Sequence, residues 1–103
     1  MVWTFASAAG AVALVSADLL LVPGDLDRAV RERVADLALD GVVVAATHTH
    51  AGPGGYWEDL LGQRLATGPF RREALDRLAD GMARAAVPFP RRAQLSATFL
   101  PAA

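Results

Sequence analysis

Hydrophobic positions follow two rhythms along this chain, and the change from one to the other marks its elements. Val2–Ser7, "VWTFAS", is rich in β-branched and aromatic residues and reads as a strand. Ala8, Ala9 and Gly10 make a tight connection, and residues 11–18, "AVALVSAD", form a second strand that is apolar on both faces. Together they predict a β-hairpin whose second strand is buried. Pro23 and Gly24 then stop the chain, and Asp25 suits a helix N-cap. Over residues 26–39, Leu26, Val30, Val34 and Leu37 recur at helical spacing. Asp27–Arg31 and Arg28–Glu32 are i,i+4 pairs on the opposite side. Asp40-Gly41 closes this helix. Residues 42–47, "VVVAAT", come next as a continuous apolar run, which predicts a strand covered on both faces.

Residues 11–47 therefore read strand–helix–strand. Such a connection predicts two parallel strands joined by a right-handed crossover. Both strands then end on one edge of the sheet, one at Asp18 and the other at His48. In open α/β sheets, ligands gather outside the carboxyl ends of the strands.

Beyond this unit, "AGPGG" must be a loop, and a short helix is expected around residues 57–65. Thr67-Gly68-Pro69 opens a stronger helix, with Arg71, Ala74, Leu75, Leu78, Met82 and Ala85 on one stripe. Arg72–Asp76, Glu73–Arg77 and Asp80–Arg84 are its expected exposed pairs. Residues 87–90, "VPFP", end it. Residues 93–100, "AQLSATFL", alternate cleanly and predict a half-exposed strand. The expected fold class is α/β: a β-hairpin, a strand–helix–strand unit, then a further helix and strand, forming a partial mixed sheet flanked by helices.

Composition narrows the chemistry. At 103 residues the chain is one domain at most, and 53% hydrophobic against 20% charged residues marks a folded chain. Ten basic and eleven acidic residues leave a net charge of −1, without the basic excess of phosphate-seeking proteins, so no nucleic-acid partner is expected. There is no cysteine, which excludes disulfides, thiolate zinc sites and thiol catalysis. The longest apolar stretch, "AVALVSADLLLV", is interrupted by Asp18 and is too short to span a bilayer, so no transmembrane segment is expected. "MVWTFASAAG" has no positively charged start, so no signal peptide is read there.

His48 and His50 are the chain's two histidines, one residue apart where an apolar strand meets a Gly-rich loop. Side chains alternate along a strand, so both rings share a face if the strand persists. Two imidazoles so placed can share a cation such as Zn²⁺, or can simply close off a strand by hydrogen bonding. Gly52, Pro53, Gly54 and Gly55 can merely turn the chain, or let a substrate approach closely.

The segment "THTHAGPGGY" closely resembles the Thr-His-Thr-His-Ser-Gly-Pro-Gly-Gly segment of the neutral/alkaline, non-lysosomal ceramidase family. "VALVSADLL", "VRERV" and "GVVVAATHTH" are similar to the family's sequence upstream of that motif, and "ALDRLADGMARA" and "RAQLSATFL" to its sequence downstream. The resemblance implies a zinc-dependent amidase that cuts the N-acyl bond of a ceramide-like lipid. It implies His48 as a zinc ligand and His50 as its catalytic neighbour, orienting substrate or stabilising the transition state. Gly52, Gly54 and Gly55 would line the substrate; Tyr56 reads as apolar packing ahead of a lipid-facing rim of the substrate site, and Asp18, at the end of the neighbouring strand, would either orient a site histidine from behind or serve as a helix-cap or turn carboxylate. Ala51 stands where the family has serine, which removes a hydroxyl beside the site. The family's other ligands are a separated His, a Glu and a Tyr. Glu58 and Asp59 lie near but do not match that context, and read as solvated residues at a helix start.

The chain is therefore expected to be part of a ceramidase-like catalytic domain. Alone, it is expected to bind zinc weakly and not to turn over amide lipids. Sheet edges meant for the remainder would be open to self-association. Two other functions fit the histidine pair: a different metal-dependent hydrolase with His-x-His at a strand end, or a non-catalytic α/β module with structural histidines.

Overall fold

The structure, a computed structural model, describes residues 2–7 and 10–86. β1 (Val2–Ser7) and β2 (Gly10–Ala17) pair antiparallel, with Val2 opposite Val15 and Ser7 opposite Gly10. α1 (Gly24–Arg33) carries the chain over to β3 (Gly41–Ala46), which pairs parallel to β2 from Val12–Gly41 to Ala17–Ala46. The sheet order is β1-β2-β3, so the hairpin and the parallel unit share β2. Then come α2 (Leu60–Gly62), a π-helical turn over Gln63–Thr67, and α3 (Arg72–Ala85). This is the expected α/β class with a mixed sheet. The strand expected over residues 93–100 and the helix stop at residues 87–90 lie outside the described residues.

One face of the sheet carries Ala13, Val15 and Val42, all buried. Val15 and Val42 join Leu26, Ala29 and Val30 of α1 and Leu75, Ala79 and Met82 of α3 in a single core. The apolar run predicts cover on both sheet faces, and the described residues correct this. Val12 and Val43 point the other way and remain 40% and 52% exposed. A continuous apolar run records two apolar faces but not which element covers the second.

α1 ends at Arg33, not at residue 39. Val34 leaves helical geometry with φ −106°, Leu37 N–H bonds back to the Val34 carbonyl, and Ala38 sits at φ 49°. Leu37 and Leu39 still pack against the core, which is why helical periodicity outruns the helix. Asp40 then closes the return to β2. Its N–H donates to the Ala11 carbonyl and its carboxylate accepts from the Ala11 N–H, both at 2.7 Å. At the other end Pro23 takes the N-cap position, and Asp25 lies inside the first turn, where its charge suits the helix dipole.

The ion pairs also differ in part from expectation. Asp27–Arg31 forms at 2.8 Å and Arg72–Asp76 at 3.5 Å, whereas Arg28 turns to Asp25 at 2.9 Å. Asp80 meets Arg33 of α1 at 2.5 Å, and Asp76 joins it at 3.2 Å. These side chains are partly exposed, so the cluster contributes orientation between α1 and α3 more than stability. The hydrogen bond to Asp80 raises the Arg33 guanidinium further above its usual range.

α3 buries Leu75, Ala79 and Met82, with Ala86 just past its end, so its inward stripe includes Ala79 and leaves Ala85 exposed. Gly81 sits mid-helix with open space where a Cβ would project. Gly81→Ala is therefore expected to stabilise the chain by about 0.5–1 kcal/mol, through the lower entropy of the unfolded state. A urea midpoint that falls on this substitution would contradict that reading.

Candidate functional site

The parallel pairing of β2 and β3 brings their carboxyl ends to one edge, as the sequence order requires. Backbone bonding continues past both strands: Thr47 N–H reaches the Ala17 carbonyl at 3.0 Å and Thr49 N–H reaches the Leu19 carbonyl at 3.2 Å. Asp18 lies here, and its carboxylate accepts from the Thr47 hydroxyl at 3.1 Å, which ties the two strand ends together.

His48 occupies the left-handed region, φ 65°, which is uncommon for a residue with a side chain. β3 ends at Ala46, so strand alternation does not align the histidines. The turn at His48 does. The two rings meet edge to face, with centroids 5.1 Å apart and planes at 82°. Both histidines are exposed, and both line one open groove.

His48 Nδ1 lies 2.8 Å from the Leu20 carbonyl. A carbonyl can only accept, so Nδ1 carries the proton in this bond. In the neutral ring that leaves Nε2 with its lone pair free, the arrangement that ligating histidines use. The partner is a backbone oxygen of the β2–α1 connection, and no residue type signals it in the sequence.

Beside the rings is a groove of about 300 Å³. His48, His50, Gly52, Gly54, Leu65 and Thr67 are among its walls. Of the residues expected at the substrate, Gly52 and Gly54 reach this groove. Gly55 and Tyr56 do not line it: both are buried. Gly55 has φ 80°, donates to the Thr67 carbonyl at 2.7 Å and accepts from Arg71 N–H at 2.8 Å, so it fastens the loop. Tyr56 is wholly buried in the core. Gly52 is also fixed by packing, since a Cβ there would lie 2.6 Å from the Asp18 carbonyl oxygen. Asp59 caps α2 through Gly62 N–H at 2.9 Å, and Glu58 is exposed.

Zinc chemistry can be tested against these donors. The two imidazoles suit zinc, and the Leu20 carbonyl presets one of them. Among the described residues no group of three His, Cys, Asp or Glu side chains converges on one point. The donors present thus fit two corners of a site at most.

Fold and site define a small α/β unit with paired imidazoles at the carboxyl edge of parallel strands. Over 74 residues, 67% of its length, the chain is 39% identical to the neutral ceramidase of Mycobacterium tuberculosis (strain ATCC 25618 / H37Rv). The match spans 12% of that protein. No family model and no solved structure matches the chain. Among the described residues no helix is long and apolar enough to cross a membrane.

Proposed function

We propose that this chain supplies the two-histidine corner of a zinc-dependent amidase acting on the N-acyl bond of ceramide-like lipids. His48 is the metal ligand and His50 its catalytic neighbour. The observation that carries the reading is the 2.8 Å bond from His48 Nδ1 to the Leu20 carbonyl, which leaves the Nε2 lone pair available to a metal. The identity to a neutral ceramidase over 74 residues supports the substrate class.

When bound, zinc would lower the pKa of a coordinated water toward about 7 and polarise the amide carbonyl. The chain's own residues do the rest. The Leu20 carbonyl holds the His48 ring against rotation. His50, edge-on to it and lining the groove, offers a nitrogen that can hold a proton or hydrogen bond on the substrate side. Leu21 and Leu65 give the groove apolar wall suited to a hydrocarbon chain.

Two imidazoles are fewer than the three protein ligands of a catalytic zinc site, so the chain alone should hold zinc weakly and leave ceramide intact. Calorimetric zinc titration of the chain tests the ligand assignment. His48→Ala is expected to weaken binding by about tenfold or more, and His50→Ala by less. Zinc affinity that ignores His48→Ala would sink the proposal.

A further inference from the structure

We infer that Tyr56 is a positioning residue for His48, acting through a single peptide unit of the β2–α1 connection. The importance of that role for metal rests on the zinc reading above; the geometry itself does not. Tyr56 is completely buried. Its hydroxyl donates to the Leu21 carbonyl at 3.1 Å and accepts from the Leu21 N–H at 3.4 Å. The Leu21 N–H and the Leu20 C=O belong to the same peptide plane. In a planar trans peptide these two groups point to opposite sides and turn together. One side of this plane is held by the Tyr56 hydroxyl, and the other side receives the His48 Nδ1 proton at 2.8 Å.

One hydroxyl thus has three effects. The plane cannot rotate without breaking the Tyr56 bond, so the direction of the Leu20 carbonyl is fixed. That carbonyl then selects the Nδ1–H form of His48 and leaves Nε2 as the free donor. A donor-accepting chain of this kind also polarises its members, strengthening the outer bond. The Tyr56 ring is anchored in the core and its hydroxyl reaches the connection, so the site's geometry is tied to the rigid part of the molecule.

The test is Tyr56→Phe, which keeps the buried ring and removes the hydroxyl. The readout is the ¹⁵N spectrum of the His48 imidazole in metal-free chain, at a pH where the ring is neutral, together with zinc titration. The parent is expected in the Nδ1–H form. Tyr56→Phe should shift the population toward Nε2–H and weaken zinc about threefold to tenfold, less than the roughly 10–100-fold of a direct outer partner because the Tyr56 hydroxyl acts one bond further out. Val34→Ala, a core truncation remote from Leu21, should lower stability and leave the tautomer unchanged. Tyr56 is the chain's one tyrosine, so fluorinated tyrosine can be incorporated at that position alone. It alters the hydroxyl's bonding in an otherwise native chain and should move the His48 ¹⁵N shifts even if Tyr56→Phe does not fold. Unchanged His48 shifts in the hydroxyl-altered chain overturn the inference. A tautomer shift without any zinc binding by the parent would uphold the positioning role and remove the zinc reading. Zinc binding that depends on His48 but ignores the Tyr56 hydroxyl would do the reverse.

Discussion

Truncating Leu19 to alanine is expected to cost the chain about 3 kcal/mol, within the range of about 2–5 kcal/mol for a buried leucine. Leu19 is 2% exposed and belongs to the core, immediately after β2. The packed neighbours cannot collapse fully into the space it leaves, so a cavity term adds to the lost burial. A chain of this size has a total stability of about 5–15 kcal/mol, so the loss is a large share. Leu19 also sits where the site is built. Its N–H donates to the Ala17 carbonyl at 2.9 Å, its carbonyl accepts from Thr49 N–H at 3.2 Å, and the next carbonyl holds His48. Loss of its side chain should therefore loosen the strand end that aims the ring. Urea unfolding with an unchanged slope measures the energy. Leu19→Met, which nearly conserves volume, should cost less than about 1.5 kcal/mol. A Leu19→Ala stability within about 0.5 kcal/mol of the parent, the size expected for ordinary surface changes, would contradict the packing described.

What the residues make legible and what they hide divides along physical lines. The hairpin and the strand–helix–strand order are legible because apolar periodicity and the Gly and Pro breaks act locally. The shared edge of Asp18 and His48 comes from that order alone. The end of α1 is hidden because Leu37 and Leu39 keep a helical rhythm while the backbone has already turned. The proximity of His48 and His50 is legible from spacing, yet for another reason than the one at work. Strand alternation stops at Ala46, and a left-handed His48 brings the rings together. Tyr56 reads as apolar packing ahead of a substrate rim, and it is indeed buried in the core. Its hydroxyl is satisfied by Leu21, 35 residues earlier, and a long-range partner of that kind leaves no local signal. The Leu20 carbonyl is hidden more deeply still, since every residue type carries one.

The Gly-rich loop gives the second large effect, and it separates two uses of glycine. Gly54→Ala is expected to destabilise the chain by about 2 kcal/mol, within the range for forcing volume into a packed place. A Cβ at Gly54 would overlap the Thr67 carbonyl oxygen and lie 3.2 Å from its carbon. Both are backbone atoms, so no flexible side-chain end can move aside. The same carbonyl accepts the Gly55 N–H at 2.7 Å, so pushing it away also breaks the bond that fastens the loop to the π-helical turn. Gly68 provides the comparison. It has φ 75° and ψ −176°, a backbone region essentially confined to glycine, but nothing within 4 Å of a Cβ, so Gly68→Ala should cost backbone strain alone, about 1–3 kcal/mol. Thr67 and Gly54 both wall the groove, so the Gly54 change should also disturb the groove beside His50, while the Gly68 change should leave it intact. Paired urea titrations give the energies, and the His50 imidazole shifts report the groove. If Gly54→Ala costs less than about 0.5 kcal/mol, the size of an ordinary surface change, close approach to Thr67 is not what requires glycine there. The loop's composition would then have to be explained from the ligand side, by what must fit against Gly52 and Gly54.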